Sequence, residues 1–187
     1  MVIRENTIDL ARQVIERYYE PDTVIYRILM DHSRQVADKA LAIAEGHPEM
    51  NFDIDFVEEA AMLHDIGIRF CDAPEIGCFG AYDYVCHGFL GAEILRKEGL
   101  PRHALVCERH TGTGISLKAI VENKLPLQHR DFVPVSIEEQ LICFADKFFS
   151  KSDPAKEKRI FEIEKSLQKH GNDSVLRFNQ WCKRFLG

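Results

Sequence analysis

Residues 61–68 read AMLHDIGI, and His64 and Asp65 stand where the preceding pattern calls for another apolar turn. Val57, Ala60, Ala61 and Leu63 are apolar, and the helical pattern stops after Ile66 at Gly67. Two ionisable groups at the inner end of an apolar helix are costly unless a charge or a hydrogen bond satisfies them. A metal ion is one such partner, and other residues can join it. His32 and His87 lie near the starts of two helices, and His110 ends a third just before TGTG. Asp146 sits mid-helix in LICFADKFF, among Leu141, Ile142, Phe144, Ala145, Phe148 and Phe149. An acid in such company needs a buried partner. Four histidines and two aspartates, spread one or two per helix, make a ligand set for a helical bundle core. Imidazoles with carboxylates suit Mn, Fe, Co, Ni or Zn better than Mg alone. Two such ions can share a carboxylate, activate a water and hold the oxygens of a phosphoryl group.

The elements that must position these groups are helical almost throughout. IDLARQVIERYY puts Ile8, Ala11, Val14, Ile15 and Tyr18 on one face. Asp31 can cap HSRQVADKALAIAEG, whose stripe of Val36, Ala40, Leu41 and Ile43 ends at Gly46, and Asp53 or Asp55 can cap the next helix. CHGFLGAEILRKEG ends at Gly99, and Pro101 suits the first position of PRHALVCERH. Ser136 with Glu139 forms a capping box before IEEQLICFADKFF. A helix over SDPAKEKRIFEIEKSLQKHG has Pro154 just inside its start and Gly171 just past its end, and NDSVLRFNQWCKRFL makes a last amphipathic helix covering the core. RFCDAPEIGCFGAYDYV and ENKLPLQHRDFVPV are irregular. The expectation is an all-α helical bundle in one domain over residues 1–187, with a core at about 25–150 and C-terminal helices at about 153–186 packed on it.

Composition narrows the partners. Of the 187 residues 45% are apolar and 29% charged, as in an ordinary globular protein. No apolar run approaches the ~20 residues of a membrane span, and the amphipathic, acid-containing start fits neither a signal nor a transit peptide. The 6 cysteines sit singly, as reduced thiols of the cytoplasm do. With a net charge of −6 and no stretch dense in Lys and Arg, the chain is expected to bind neither a nucleic-acid polymer nor a membrane, while phosphate substrates stay open because a bound metal can reverse the local sign.

His32, then His64–Asp65, then Asp146, on separate helices and in that order, resemble the H…HD…D signature of the HD superfamily of metal-dependent phosphohydrolases, and HDIG is a frequent form of its central motif. The resemblance covers about residues 25–150. It implies an all-α core in which those four residues hold one metal, with His64 and Asp65 at the catalytic centre. His87 and His110 match the branch with extra histidines and a second metal, bridged by the aspartate. Within it, His110–Thr111 after Arg109 is similar to the short, symmetrical diadenosine tetraphosphate hydrolases. HD-GYP cyclic-dinucleotide phosphodiesterases follow HDIG with lysine and carry paired histidines and a GYP segment. Here Ile68 and Arg69 follow, His110 precedes a threonine, and GYP is missing, so cyclic di-GMP is not the implied substrate. The resemblance thus implies hydrolysis of a small nucleotide-like phosphoester or pyrophosphate. A di-iron oxygenase on the same helices and a non-catalytic nucleotide sensor are the alternatives.

Candidate substrate contacts are Arg109 and Lys147, which neighbour ligands though helix neighbours point about 100° apart, together with Arg69, Arg34, His129 with Arg130, and Thr111 in the run Thr111–Gly114. His47 and His170 read as solvated helix-stop residues, and His103 and His129 as exposed. Cys71, Cys78 and Cys86 read as incidental thiols, and Phe70, Phe79, Tyr82 and Tyr84 as rings that stack on a base or pack over the core.

Overall fold

A computed structural model describes the backbone of residues 4–187 and the side chains from Leu10 onward, so the expected core position of Ile8 lies outside the described residues. Helix α1 (Arg4–Glu16) buries Ala11, Val14 and Ile15 against α3 (Ile54–Leu63), which Asp53 caps through the Phe56 amide. Between them in sequence runs the longest helix, α2 (Val24–Gly46), packed along α3. Its cap is Thr23, whose side chain accepts from the Tyr26 amide, and Asp31 is exposed within the helix. The apolar periodicity of VIYRILM extends the helix back to Thr23, so His32 is mid-helix rather than near a start.

The segment after α3 passes through short 3-10 turns and a two-residue antiparallel pair, β1 (Asp72–Ala73) with β2 (Cys78–Phe79), in register Asp72↔Phe79. Helices α4 (His87–Lys97) and α5 (Pro101–Arg109) then form the most extensive helix pair. Pro101 is the first residue of α5, where its missing N–H costs nothing. A short α6 (Leu117–Glu122), absent from the sequence expectation, is capped by Ser116. Helix α7 (Ile137–Asp146) is capped by Ser136 and crosses α2, α3 and α5.

Two further boundaries and one burial differ from expectation. Helix α7 stops at Asp146, which is therefore its last residue. A continued helix would set Phe149 on the same face as Asp146; instead the chain turns and Phe148 packs on Phe144 at 5.1 Å. Helix α8 (Ile160–Leu167) begins well after Pro154, because Ala155, Lys156, Glu157 and Lys158 offer no apolar face to bury. Its first turn is closed by the Glu162 carboxylate accepting from the Arg159 amide at 2.9 Å. His103 is buried rather than exposed, edge-on to Phe56 at 4.9 Å and bonded to Glu59 at 3.0 Å, because that face of α5 is turned to α3. Helix α9 (Asn172–Phe185) covers the core as expected, laying Phe178 and Phe185 on Phe144 at 5.4 and 5.5 Å.

Gly67 is where α3's trailing turn meets α4. A Cβ there would stand 2.1 Å from the His87 carbonyl oxygen and 2.4 Å from the Gly91 amide nitrogen. Gly67→Ala is expected to cost about 3 kcal/mol through backbone displacement and to lower Tm by roughly 6–12 °C. A thermal melt indistinguishable from wild type would contradict this close packing.

Candidate metal centre

The helix ends and turns converge on one buried cage. His32 comes from α2, His64 and Asp65 from the turn leaving α3, and His87 from the first residue of α4. His110 comes from the residue that ends α5, and Asp146 from the last residue of α7. All six are buried. They fall into two groups sharing Asp65: His32, His64, Asp65 and Asp146, and Asp65, His87 and His110, with the donor atoms of each within 4.8 Å of one another.

Asp65 divides its oxygens between them. Oδ2 lies 3.2 Å from His32 Nε2 and 3.0 Å from His64 Nε2. Oδ1 lies 3.3 Å from His87 Nε2 and 3.4 Å from His110 Nε2. Asp146 Oδ1 completes the first group, 2.9 Å from His32 Nε2 and 3.5 Å from His64 Nε2.

Three rings are aimed by their own backbone. Nδ1–H of His64 donates to the Ala61 carbonyl at 2.6 Å, that of His87 to Tyr84 at 2.6 Å and that of His110 to Cys107 at 2.7 Å. This fixes the tautomer and turns each Nε2 inward, as outer partners of metal-ligating histidines do. Nε2 of His87 and His110 then oppose their lone pairs at 3.0 Å, an arrangement a cation relieves. His64 Nε2 and Asp65 Oδ1 are buried without a hydrogen bond, as donor atoms awaiting a cation would be. The set of imidazoles and carboxylates therefore fits divalent transition metals.

Two lysines border the cage. Lys147 Nζ is 2.6 Å from Asp146 Oδ2, and Lys151 Nζ is 2.5 Å from Asp65 Oδ2. Burial would lower both ammonium pKa values, but Asp146 for Lys147 and Asp65 for Lys151 outweigh it and raise them. Burial alone would raise Asp65, yet His64 and Lys151 hold it well below the carboxylate range. Lys147 and the histidines do the same for Asp146. Burial, with His110 adding to it, pushes His87 down to about 3, and burial also lowers His110, so both are neutral imidazoles. His64 goes the other way: burial opposes its charge, but Asp65 and Asp146 raise it to about 9.

That shift has a sign that can be measured. With a folded pKa raised above 6.5, the stabilisation from charged His64 is fully present below pH 6.5 and lost as pH rises through about 9. A metal on Nε2 must displace this proton, so metal uptake at pH 7.5 is expected to release about one proton per chain. Affinity should rise from pH 6.5 to 9. Calorimetry in buffers of different ionisation enthalpy checks this, and an uptake heat independent of buffer would contradict it.

The other residues singled out in the sequence are engaged elsewhere. Arg109 grips Glu139 of α7 at 2.9 and 3.1 Å, and Arg34 ties α2 to α3 through Glu58 at 2.9 Å. Arg69 is exposed beside Tyr19 and Phe70, 5.5 and 5.6 Å from their rings. Thr111 packs beside Gly88, and the amide of Gly114 closes a turn onto the Thr111 carbonyl while Arg177 holds the Thr113 carbonyl, so this loop reads as a structural stop. Arg130 pairs with Glu108 at 3.0 Å. His47 is half-buried on the Phe185 carbonyl, whereas His129 and His170 are exposed. Cys71, Cys78 and Cys86 are buried, and Phe79 and Tyr82 are exposed. Sequence reasoning missed Lys151, which reaches Asp65 only because the chain leaves the helix after Asp146. Tyr84 stacks on His87 at 4.6 Å, which makes it a wall of the cage.

Residues 29–150 match the HD domain model, and the chain belongs to the HD-domain family. Among named relatives, it is 35% identical over 123 residues to a protein of Thermoplasma volcanium called tRNA (cytidine(56)-2'-O)-methyltransferase, covering 65% of this chain and 32% of that one. It is 30% identical over 158 residues to a protein of the same name from Picrophilus torridus, covering 82% of this chain and 40% of that one. It is 33% identical over 121 residues to an uncharacterized protein of Methanocaldococcus jannaschii, covering 63% of this chain and 64% of that one. The matched segments thus span about a third to two thirds of these relatives. No solved structure gives a significant match. Among the described residues no helix is long and apolar enough to cross a membrane.

Proposed function

We propose that the cage is the two-metal centre of a phosphohydrolase acting on a small nucleotide-like phosphoester or pyrophosphate. The observation that carries this reading is Asp65, which offers one oxygen to each ligand group. His32, His64, Asp65 and Asp146 would hold one ion, and Asp65, His87 and His110 the other. When bound, such a pair supplies a water of lowered pKa and neutralises charge that develops on phosphoryl oxygens.

The chain's own residues do the rest. Carbonyl anchors on three rings hold Nε2 inward before any ligand arrives, so no reorganisation is needed during reaction. A cavity of about 340 Å³ opens onto His32 and Asp146 and is bordered by Lys147 and Lys151. Their raised pKa values keep both ammonium groups charged at neutral pH, so they serve as clamps for phosphate oxygens rather than as proton donors.

The test is phosphate release from a panel of nucleotides, dinucleoside polyphosphates and simple esters, with Mn, Co, Fe, Ni and Zn in turn. Release with at least one metal, lost on chelation, is expected. No release from any pairing would overturn the reading, and oxygen consumption by the iron-loaded protein would favour the oxygenase instead.

The two relatives named tRNA methyltransferases favour a second reading, a role on or beside tRNA. Against it stands a net charge of −6 with no basic track for a long phosphate backbone. Small substrates are expected to react faster than tRNA. Faster hydrolysis of tRNA in the same assay would reverse the order of the two readings.

A further inference from the structure

The chain from the end of α7 to α8 forms a strap along the cavity, and three of its four lysines, Lys147, Lys151 and Lys158, line it. Lys147 and Lys151 are matched by Asp146 and Asp65. Lys158 is not: its Nζ donates to the Phe149 carbonyl at 2.9 Å, and among the described residues no carboxylate lies within ion-pair distance of it. A half-buried ammonium beside two others is unfavourable in the free protein. Its pKa is lowered, by burial first, and Lys147 and Lys151 add to the lowering, despite the pull of Asp146 and of Asp153 on the strap.

Once Asp65 and Asp146 are committed to metal, only Glu75 among the cavity's side chains is left to offset three ammonium groups. The cavity is therefore built for an anion of higher charge than one phosphate ester. Ile163 and Leu167 of α8 form part of its wall, and Ser150 and Ser152 add hydroxyls on the strap. An internal phosphodiester brings one negative charge per phosphorus. A terminal diphosphate concentrates roughly two to three times that charge on adjacent phosphorus atoms.

We infer that Lys158, with Lys151, forms an anion subsite beside the cage that takes a second phosphate, so that the substrate is a terminal di- or polyphosphate rather than a lone monoester or an internal diester. What happens at the cage rests on the phosphohydrolase reading, but the subsite is tested by binding alone.

The experiment is calorimetric titration of the full chain, with its metal content recorded, by methylenediphosphonate and by inorganic phosphate. Wild type is expected to prefer the diphosphonate at least about tenfold, and Lys158→Gln to lose about tenfold of that preference. Lys158→Arg, which keeps the charge, should retain it. No preference in wild type, a preference that survives Lys158→Gln, or its loss in a folded Lys158→Arg would each overturn the subsite. Binding that depends on Lys158 without release of phosphate from any ester would leave the subsite standing and sink the phosphohydrolase reading. Hydrolysis of monoesters with no such binding would do the reverse.

Discussion

Asp65→Asn is expected to remove both metals at once and to lower phosphate release by at least about a thousandfold. No other residue belongs to both ligand groups. An amide offers one neutral oxygen where the carboxylate offers two charged ones, so each group loses its shared anion. Loss of about 4 kcal/mol of transition-state charge stabilisation corresponds to roughly three powers of ten. The fold should persist, because asparagine has nearly the same shape and the surrounding helices keep their apolar cores. Stability should fall nonetheless. Lys151 loses the carboxylate 2.5 Å away, and removing one partner of a buried pair costs about 3–5 kcal/mol. Adding Lys151→Met should therefore restore much of the melting temperature and none of the metal. Elemental analysis and circular-dichroism melts of the single and double variants check both halves. Normal metal content in Asp65→Asn would refute the bridging role.

His87→Ala and His110→Ala should act on one group only. Each removes a candidate ligand whose Nε2 faces Asp65 Oδ1, and neither belongs to the group of His32, His64 and Asp146. Metal per chain should fall by about half while the first ion stays. Catalysis should fall by roughly a hundredfold or more, since a second cation supplies several kcal/mol of charge stabilisation at 1.36 kcal/mol per factor of ten. If the two histidines merely close helix ends, each variant would keep its full metal content and most of its rate.

The cage was legible because its residues break a local rule. Histidines and aspartates among apolar helix residues have no cheap structural explanation, and that anomaly pointed to His64, Asp65 and Asp146 without any knowledge of contacts, whereas His32 was singled out by its place in the H…HD…D order. Caps at Asp53 and Ser136 and the proline start at Pro101 were legible for local reasons. What the sequence hid depends on tertiary contacts. Lys151 reaches Asp65 only because the chain turns after Asp146, and His103 is buried only because α5 turns that face to α3. The early start of α2 came from a weaker cap, Thr23, competing with Asp31, and packing of the preceding turns decided between them. Arg109 stood next to His110 in sequence yet serves α7 through Glu139.

The central claim is that six residues form two metal sites joined by one carboxylate, and anomalous diffraction from crystals grown with Mn or Co tests it most directly. Two anomalous peaks are expected, one among His32, His64 and Asp146 and one beside His87 and His110, with the Asp65 carboxylate between them. A single peak, with His87 and His110 turned away from it, would contradict the account.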